Sequence, residues 1–401
     1  MKVGVGFSEN PETTAAGTEA AREAMERAGM SEPCDLAFLF TTTKHEAYPL
    51  DGSVRRVIGD RAMIVGGGAV GTITNDHFGY AGDQVGIACF WLPDTKAEIF
   101  SEGGLHENEF ENGRRLARKL TSSGVTPATQ MMLFYDAIYR TPDEMRLLMA
   151  TPLLAGMEKE LGFLPDIKGA GMIGDYTCNQ SKQWIGDYIT NHHSLALTFT
   201  GEARIDSVIM HGCRPASRYY TVTKSNGQAI LEINGQPALP FIYELLGRSV
   251  PPESFPFFLL LGVNKGDKWG DFDENHYASR LCLAIDPEHD AIVMFEPDMV
   301  EGTEFQIMYR SLDPDYMKPR IEGLFERTLD RQPVFAFYIN CAGRAAGYGG
   351  IDIEDAVMVQ RTVADRVPVL GIYSGVEIAR IMGRPRGLDW TGVFCLFSMP
   401  K

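Results

Sequence analysis

No stretch of this 401-residue chain is apolar for long enough to cross a bilayer. The longest runs, such as 257–263, fall far short of the ~20 residues a membrane helix needs. No secretory leader is expected either: Met1-Lys2-Val3-Gly4-Val5-Gly6-Phe7 enters a strand pattern at once. Positive charge is scarce, with 37 basic residues against 53 acidic ones and a net charge of −16. Such a surface repels phosphate backbones, which excludes nucleic acid as a general partner. The 7 cysteines contain no CxxC pair and are odd in number, so neither a disulfide framework nor a zinc ribbon is written here. No histidine sits in an HExxH, a CxxCH or a triad-like context, and there is no GxSxG elbow. These absences leave the reading of a cytoplasmic protein with no membrane insertion and no metal site.

What is present is a chain of 44% apolar residues with 42 glycines and 22 prolines, long enough for two domains or three. One order of elements recurs: helix, apolar strand, helix, Gly-rich strand end, apolar strand. The first copy has a helix at 11–29, with Ala16, Ala20, Ala24, Met25 and Ala28 on its apolar face and Gly29 as C-cap. A strand follows at 35–42, a helix at 53–58, the run Gly66-Gly67-Gly68-Ala69-Val70-Gly71, and a closing strand at 85–92. The second copy runs through 113–120, 130–138, 151–161, Gly169-Ala170-Gly171-Met172-Ile173-Gly174 and 194–199. The third runs through 321–329, 334–341, 353–365, Gly371-Ile372-Tyr373-Ser374-Gly375 and 392–398. Between the last two copies, 215–320 reads as β-rich, with a hairpin of 281–285 and 291–295. The expected fold is α/β with mixed sheets, in two halves built from the repeated units, 1–220 and 221–401. Ligands of such sheets favour the carboxyl ends of strands.

Both Gly66–Gly71 and Gly169–Gly174 match GxGxxG, but polar, turn-rich segments follow instead of the helix a dinucleotide site needs. The spacing predicts a tight turn with positive φ and close backbone approach, whose amides can face an anion. Cys341-Ala342-Gly343-Arg344 ends a very apolar strand, and Tyr373, Ser374, Gly375 and Glu377 share one short segment. An arginine fork suits a carboxylate, while Glu377 suits an ammonium or Arg344 itself. His211-Gly212-Cys213-Arg214-Pro215 closes another strand, offering Cys213 and Arg214 to a ligand; His45 follows the strand end at 41–44.

These motifs resemble the FIST family of bacterial and archaeal sensory modules, which join an N-terminal and a C-terminal FIST region. The similarity rests on His211–Pro215 followed by Val222-Thr223, then Asn234-Gly235-Gln236-Pro237-Ala238-Leu239, Cys341-Ala342-Gly343-Arg344 and Gly371–Ile378. Order and spacing agree over nearly the whole chain. Val376 and Ile372 depart from the family's more aromatic or polar residues. The resemblance implies a ligand-sensing domain for intracellular signal transduction; the chain departs from the family in showing FIST regions only, so a stand-alone domain is expected, with output carried by a separately encoded partner such as a kinase or cyclase.

The expected ligand is an amino acid or carboxylate-like molecule in a pocket between the halves. One wall is Cys341, Arg344, Tyr373, Ser374, Gly375 and Glu377. The other is Cys213 and Arg214 with Gly67, Gly68, Gly169 and Gly171, and His45 is a further pocket candidate. No catalytic residue is assigned and the cofactor is unknown. Two alternatives stay open: a haem-based nitric oxide sensor, which the resemblance to haem-binding members implies and for which one axial histidine suffices, and an enzyme with a nucleophilic Cys341 or Cys213.

Overall fold

Three pairs of parallel strands in like register organise the molecule. Leu36–Thr41 lies beside Met63–Gly68, Gln130–Asp136 beside Asp166–Met172, and Arg331–Cys341 beside Val369–Ser374. The computed structural model describes residues 1–311, 313–350 and 352–401. Each pair is the centre of a six-stranded sheet, and the three sheets share one strand order. On one side the closing strands Val85–Trp91, Ser194–Gly201 and Gly392–Pro400 pair antiparallel to the first strand of each pair. The opening strands Lys2–Ser8, Thr95–Glu102 and Arg204–Met210 then form the edges.

The other side of each sheet is completed from elsewhere in the chain. Sheet I, built on Leu36–Thr41, receives the hairpin of Gln183–Gly186 and Tyr188–Thr190. Sheet II, built on Gln130–Asp136, receives Val376–Ile381 and Arg384–Leu388. Sheet III, built on Arg331–Cys341, receives Gly71–Thr74 and Phe78–Tyr80. Each hairpin follows the Gly-rich strand of a different sheet, so the three sheets are interlocked.

Apolar residues on both faces of the central strands explain this layering. The inner faces meet in one core, where Phe38, Phe134 and Phe337, one from each sheet, pack edge to face. Their ring centroids are 6.1, 5.6 and 6.0 Å apart. Outer faces are covered by helix pairs: Thr13–Ala28 with Ala47–Ile58, Glu109–Thr121 with Ala150–Leu161, and Met317–Arg327 with Asp355–Val363. The first helix starts where the Glu12 carboxylate accepts from the Thr14 and Ala15 amides, and stops at left-handed Gly29.

The β-rich stretch forms a fourth sheet. Its hairpin of Tyr277–Asp286 and Ala291–Met294 lies where the alternation puts it, and the helix Ala238–Leu245 covers one face. No helix among the described residues is long and apolar enough to cross a membrane.

The glycine runs differ from the expected tight turns. Gly67, Gly68, Gly169 and Gly171 lie within strands, and of both runs only Gly66, at φ 144°, is positive. Their physical demand is close approach between parallel strands. A Cβ at Gly66 would stand 1.9 Å from the Leu39 carbonyl oxygen, and one at Gly169 1.8 Å from that of Leu133. Gly371 meets the Tyr338 carbonyl in the matching register of sheet III, at 2.7 Å.

Candidate functional site

Chain crossover at Gly375 creates the site. Val369–Ser374 belongs to sheet III and Val376–Ile381 to sheet II, so the backbone passes between sheets at this one residue. Its amide donates to the Gly171 carbonyl at 2.9 Å. Beside the crossover, at the carboxyl ends of the parallel strands of both sheets, lies a cavity of about 160 Å³. Ala137, Ile173, Cys341 and Ser374 bring the strand ends to it, and Leu281, Leu283, Phe295 and Glu296 close it from the fourth sheet. At its mouth stand Met145, Phe257 and Tyr348, which are 54%, 45% and 47% exposed. Phe257 holds φ at +61°, a conformation that costs a bulky side chain strain energy. Its ring packs edge-on to Phe295 and Tyr348.

Against these apolar walls a few polar groups stand out. Asp389 precedes the last strand and is 3% exposed. One carboxylate oxygen accepts from the Leu281 amide at 3.0 Å, while Oδ1 is buried with no hydrogen-bond partner among the described residues. Burial pushes this carboxyl up to about 7, with the Arg280 guanidinium opposing the rise and Glu296 adding to it. The indole Nε1 of Trp390, also on the lining, is likewise buried and unpartnered. The Arg310 guanidinium sits 4.8 Å from the Trp390 ring centroid.

The carboxylate of Glu296 caps the helix Ala150–Leu161 from outside its sheet, accepting from the Ala150 and Thr151 amides at 3.0 and 2.9 Å. Burial raises its pKa. The nearby cation, Arg280, is committed: it grips Asp298 at 2.5 and 2.6 Å and donates to the Ser279 and Gly387 carbonyls. No Lys, Arg or His is among the described lining residues.

Of the residues picked out in the sequence, Cys341, Ser374 and Gly375 line the cavity. Glu377 stands directly behind, fully buried, accepting from the Ser374 hydroxyl at 2.8 Å and the Thr391 amide at 3.2 Å. Burial raises its pKa strongly. Arg344 lies outside the lining. Its guanidinium donates to Asp355, to Tyr316 Oη and to the carbonyls of His211 and Trp390. Its carboxylate partner is thus Asp355, at 2.6 Å, and not Glu377. Tyr373 is buried against Tyr80, with ring centroids 5.3 Å apart.

The rest of the set is dispersed. Arg214 is exposed over the Phe272 ring. Cys213 is buried in the fourth sheet. His45 bonds to Thr13 Oγ1 and the Asp83 carbonyl. Gly67, Gly68, Gly169 and Gly171 sit in their strands, away from the lining. Asp389, Trp390 and Glu296 were not picked out. The signal available for them was an acidic residue directly beside an aromatic one at a strand end, in Asp389-Trp390 and Phe295-Glu296.

Burial holds the thiols protonated: Cys341 is raised strongly and Cys213 to about 12. Among the described residues no group of three or more His, Cys, Asp or Glu could hold a metal ion. Haem, which the resemblance raised, finds no histidine in the lining. His211, wholly buried, has both ring nitrogens engaged, Nε2 with the Glu274 carbonyl and Nδ1 with the Cys213 amide. The residues at the cavity therefore do not fit a histidine-ligated haem.

Comparison with known proteins agrees with the motifs. The FIST N domain matches residues 35–236 and the FIST C domain residues 238–380. The uncharacterized protein Rv0628c of Mycobacterium tuberculosis is 23% identical over 407 residues, covering 99% of this chain and 100% of that one. The uncharacterized protein Mb0898c of Mycobacterium bovis is also 23% identical, covering 99% of each. With both domain matches end to end over most of its length, the chain belongs to the FIST family of sensory domains of signal transduction.

Proposed function

We propose that the protein is a small-molecule sensor working inside the cell, and that its ligand occupies the cavity at the Gly375 crossover. The observation that carries this reading is the unpartnered, buried Asp389 oxygen on a mostly apolar cavity. Such a group is costly to bury without a partner, and a ligand donor relieves that cost. The cavity also joins elements from sheets II, III and IV. A ligand there bears on their relative placement, which a sensor needs if it is to favour one state over another. The output belongs to a separately encoded signalling protein such as a kinase or cyclase.

Of the amino acid or carboxylate-like ligand expected from the sequence, an ammonium end would suit Asp389, whereas a carboxylate end has no Lys, Arg or His among the described lining residues. A nucleophilic-cysteine enzyme gains no support, because Cys341 and Cys213 are held as thiols.

Filling the cavity tests the reading. Leu283 is half-buried on its wall, and Leu283→Trp removes ligand space while leaving the strand pairing intact. In a thermal-shift screen of small amines, acids and alcohols, the native chain is expected to be stabilised by at least one class and the variant by none. Equal stabilisation of both places the ligand elsewhere.

A further inference from the structure

Size, charge and hydrogen-bonding capacity at the cavity converge on one ligand class, and the argument rests on the sensor reading above. A cavity of about 150 Å³ lined by Leu, Ile and Phe holds a molecule of benzene's size. The volume here, about 160 Å³, therefore takes a body of similar size. Met149, Ile173, Leu281 and Phe295 supply apolar walls for it.

The charges around that space do not balance. Asp389 lines it with one oxygen unpartnered, Glu296 and Asp175 line it too, and Glu377 stands behind Ser374. Facing them, Arg280 is neutralised by its bidentate pair with Asp298, and Arg344 by Asp355. With no Lys, Arg or His among the described lining residues, an entering carboxylate meets carboxylates without compensation. An entering ammonium meets an acceptor already in place, and a charge-assisted bond in such surroundings is strong.

We propose that the cavity recognises a compact hydrophobic amine, with its ammonium on Asp389 Oδ1 and its apolar body between Leu281, Phe295, Met149 and Ile173. Asp389 is then the residue that sets the class of signal, and Glu296 and Asp175 stand on the same lining.

The experiment compares three probes of one shape on the full chain: benzylamine, benzyl alcohol and benzoate. Affinities come from calorimetry, and the site from the ¹³C-methyl resonances of methionine, with Met149→Leu assigning the Met149 signal. Benzylamine is expected to bind at least ~10-fold more tightly than benzyl alcohol, a difference of about 1.4 kcal/mol, and to shift Met149. Benzoate is expected not to bind. In Asp389→Asn the amine preference is expected to vanish while benzyl alcohol binds as before, since an amide still accepts the Leu281 N–H. Should that variant fail to fold, the three-probe ranking and the Met149 shift decide alone. Binding of the alcohol or acid at Met149 in preference to the amine overturns the amine assignment and leaves the sensor pocket standing. No binding by any probe, with no stabilisation in the wider screen, overturns both.

Discussion

Asp389 shows how one side chain can carry a cost in the resting fold. Its carboxyl titrates near 7 when folded against 3.8 when free, because burial outweighs the attraction of Arg280. The folded chain therefore holds this proton more tightly than the unfolded one. That contribution to stability is full below pH 4 and is lost as the pH rises to about 7, with a slope of up to ~1.4 kcal/mol per pH unit. Arg280, Glu296, Asp298 and Glu377 all face it, and Glu296 and Glu377 add slopes of the same sign. The difference between native chain and variant isolates Asp389. Asp389→Asn is expected to gain on the native stability as the pH rises from 5 to 8, measured by urea denaturation at both. A gap that is the same at both pH values contradicts this account. The residue was not legible in the sequence, because its partners come from other elements: Leu281 from the fourth sheet and Arg280 beside it. Arg344 was legible as important, but its partner was not. Asp355 meets it across a loop that sequence order alone does not close.

Elements were easier to read than contacts. Continuous apolar runs such as 36–41 and 334–341 marked the central strands, and the alanine stripe marked the first helix. The exchanged hairpins were missed. Gly71–Thr74 and Gln183–Gly186 are short and carry polar residues, and they become strands only because a distant edge accepts them. The same blind spot affected the glycines, which read as tight turns in sequence and lie within strands in space, where the close backbone approach expected of them is met. Gly169→Ala is expected to cost about 2–4 kcal/mol, since its Cβ meets backbone that cannot yield without parting two strands. Gly52→Ala, inside the helix Ala47–Ile58 with open space around it, is expected to stabilise by about 0.5–1 kcal/mol. Chemical denaturation of the pair separates a packing demand from a general glycine effect, and similar shifts for both would refute the packing account.

At the scale of the whole molecule, the division at 220/221 read from the sequence meets a shared sheet. Arg204–Met210 pairs with Gly392–Pro400, and Gly71–Thr74 with Val369–Ser374. A fragment of 1–220 leaves the strand Asp166–Met172 with an open edge where Val376–Ile381 belongs. That fragment is expected to aggregate or self-associate alone and to become soluble when 221–401 is supplied, as read by size-exclusion chromatography. A monomeric, cooperatively melting 1–220 fragment contradicts this dependence. The hairpin exchange also has a consequence during synthesis. The cavity needs residues from Ala137 to Trp390, and its floor forms only after the chain crosses at Gly375. A chain that stops short of Trp390 thus lacks part of this cavity, and ligand at the proposed site would report that synthesis has passed that residue.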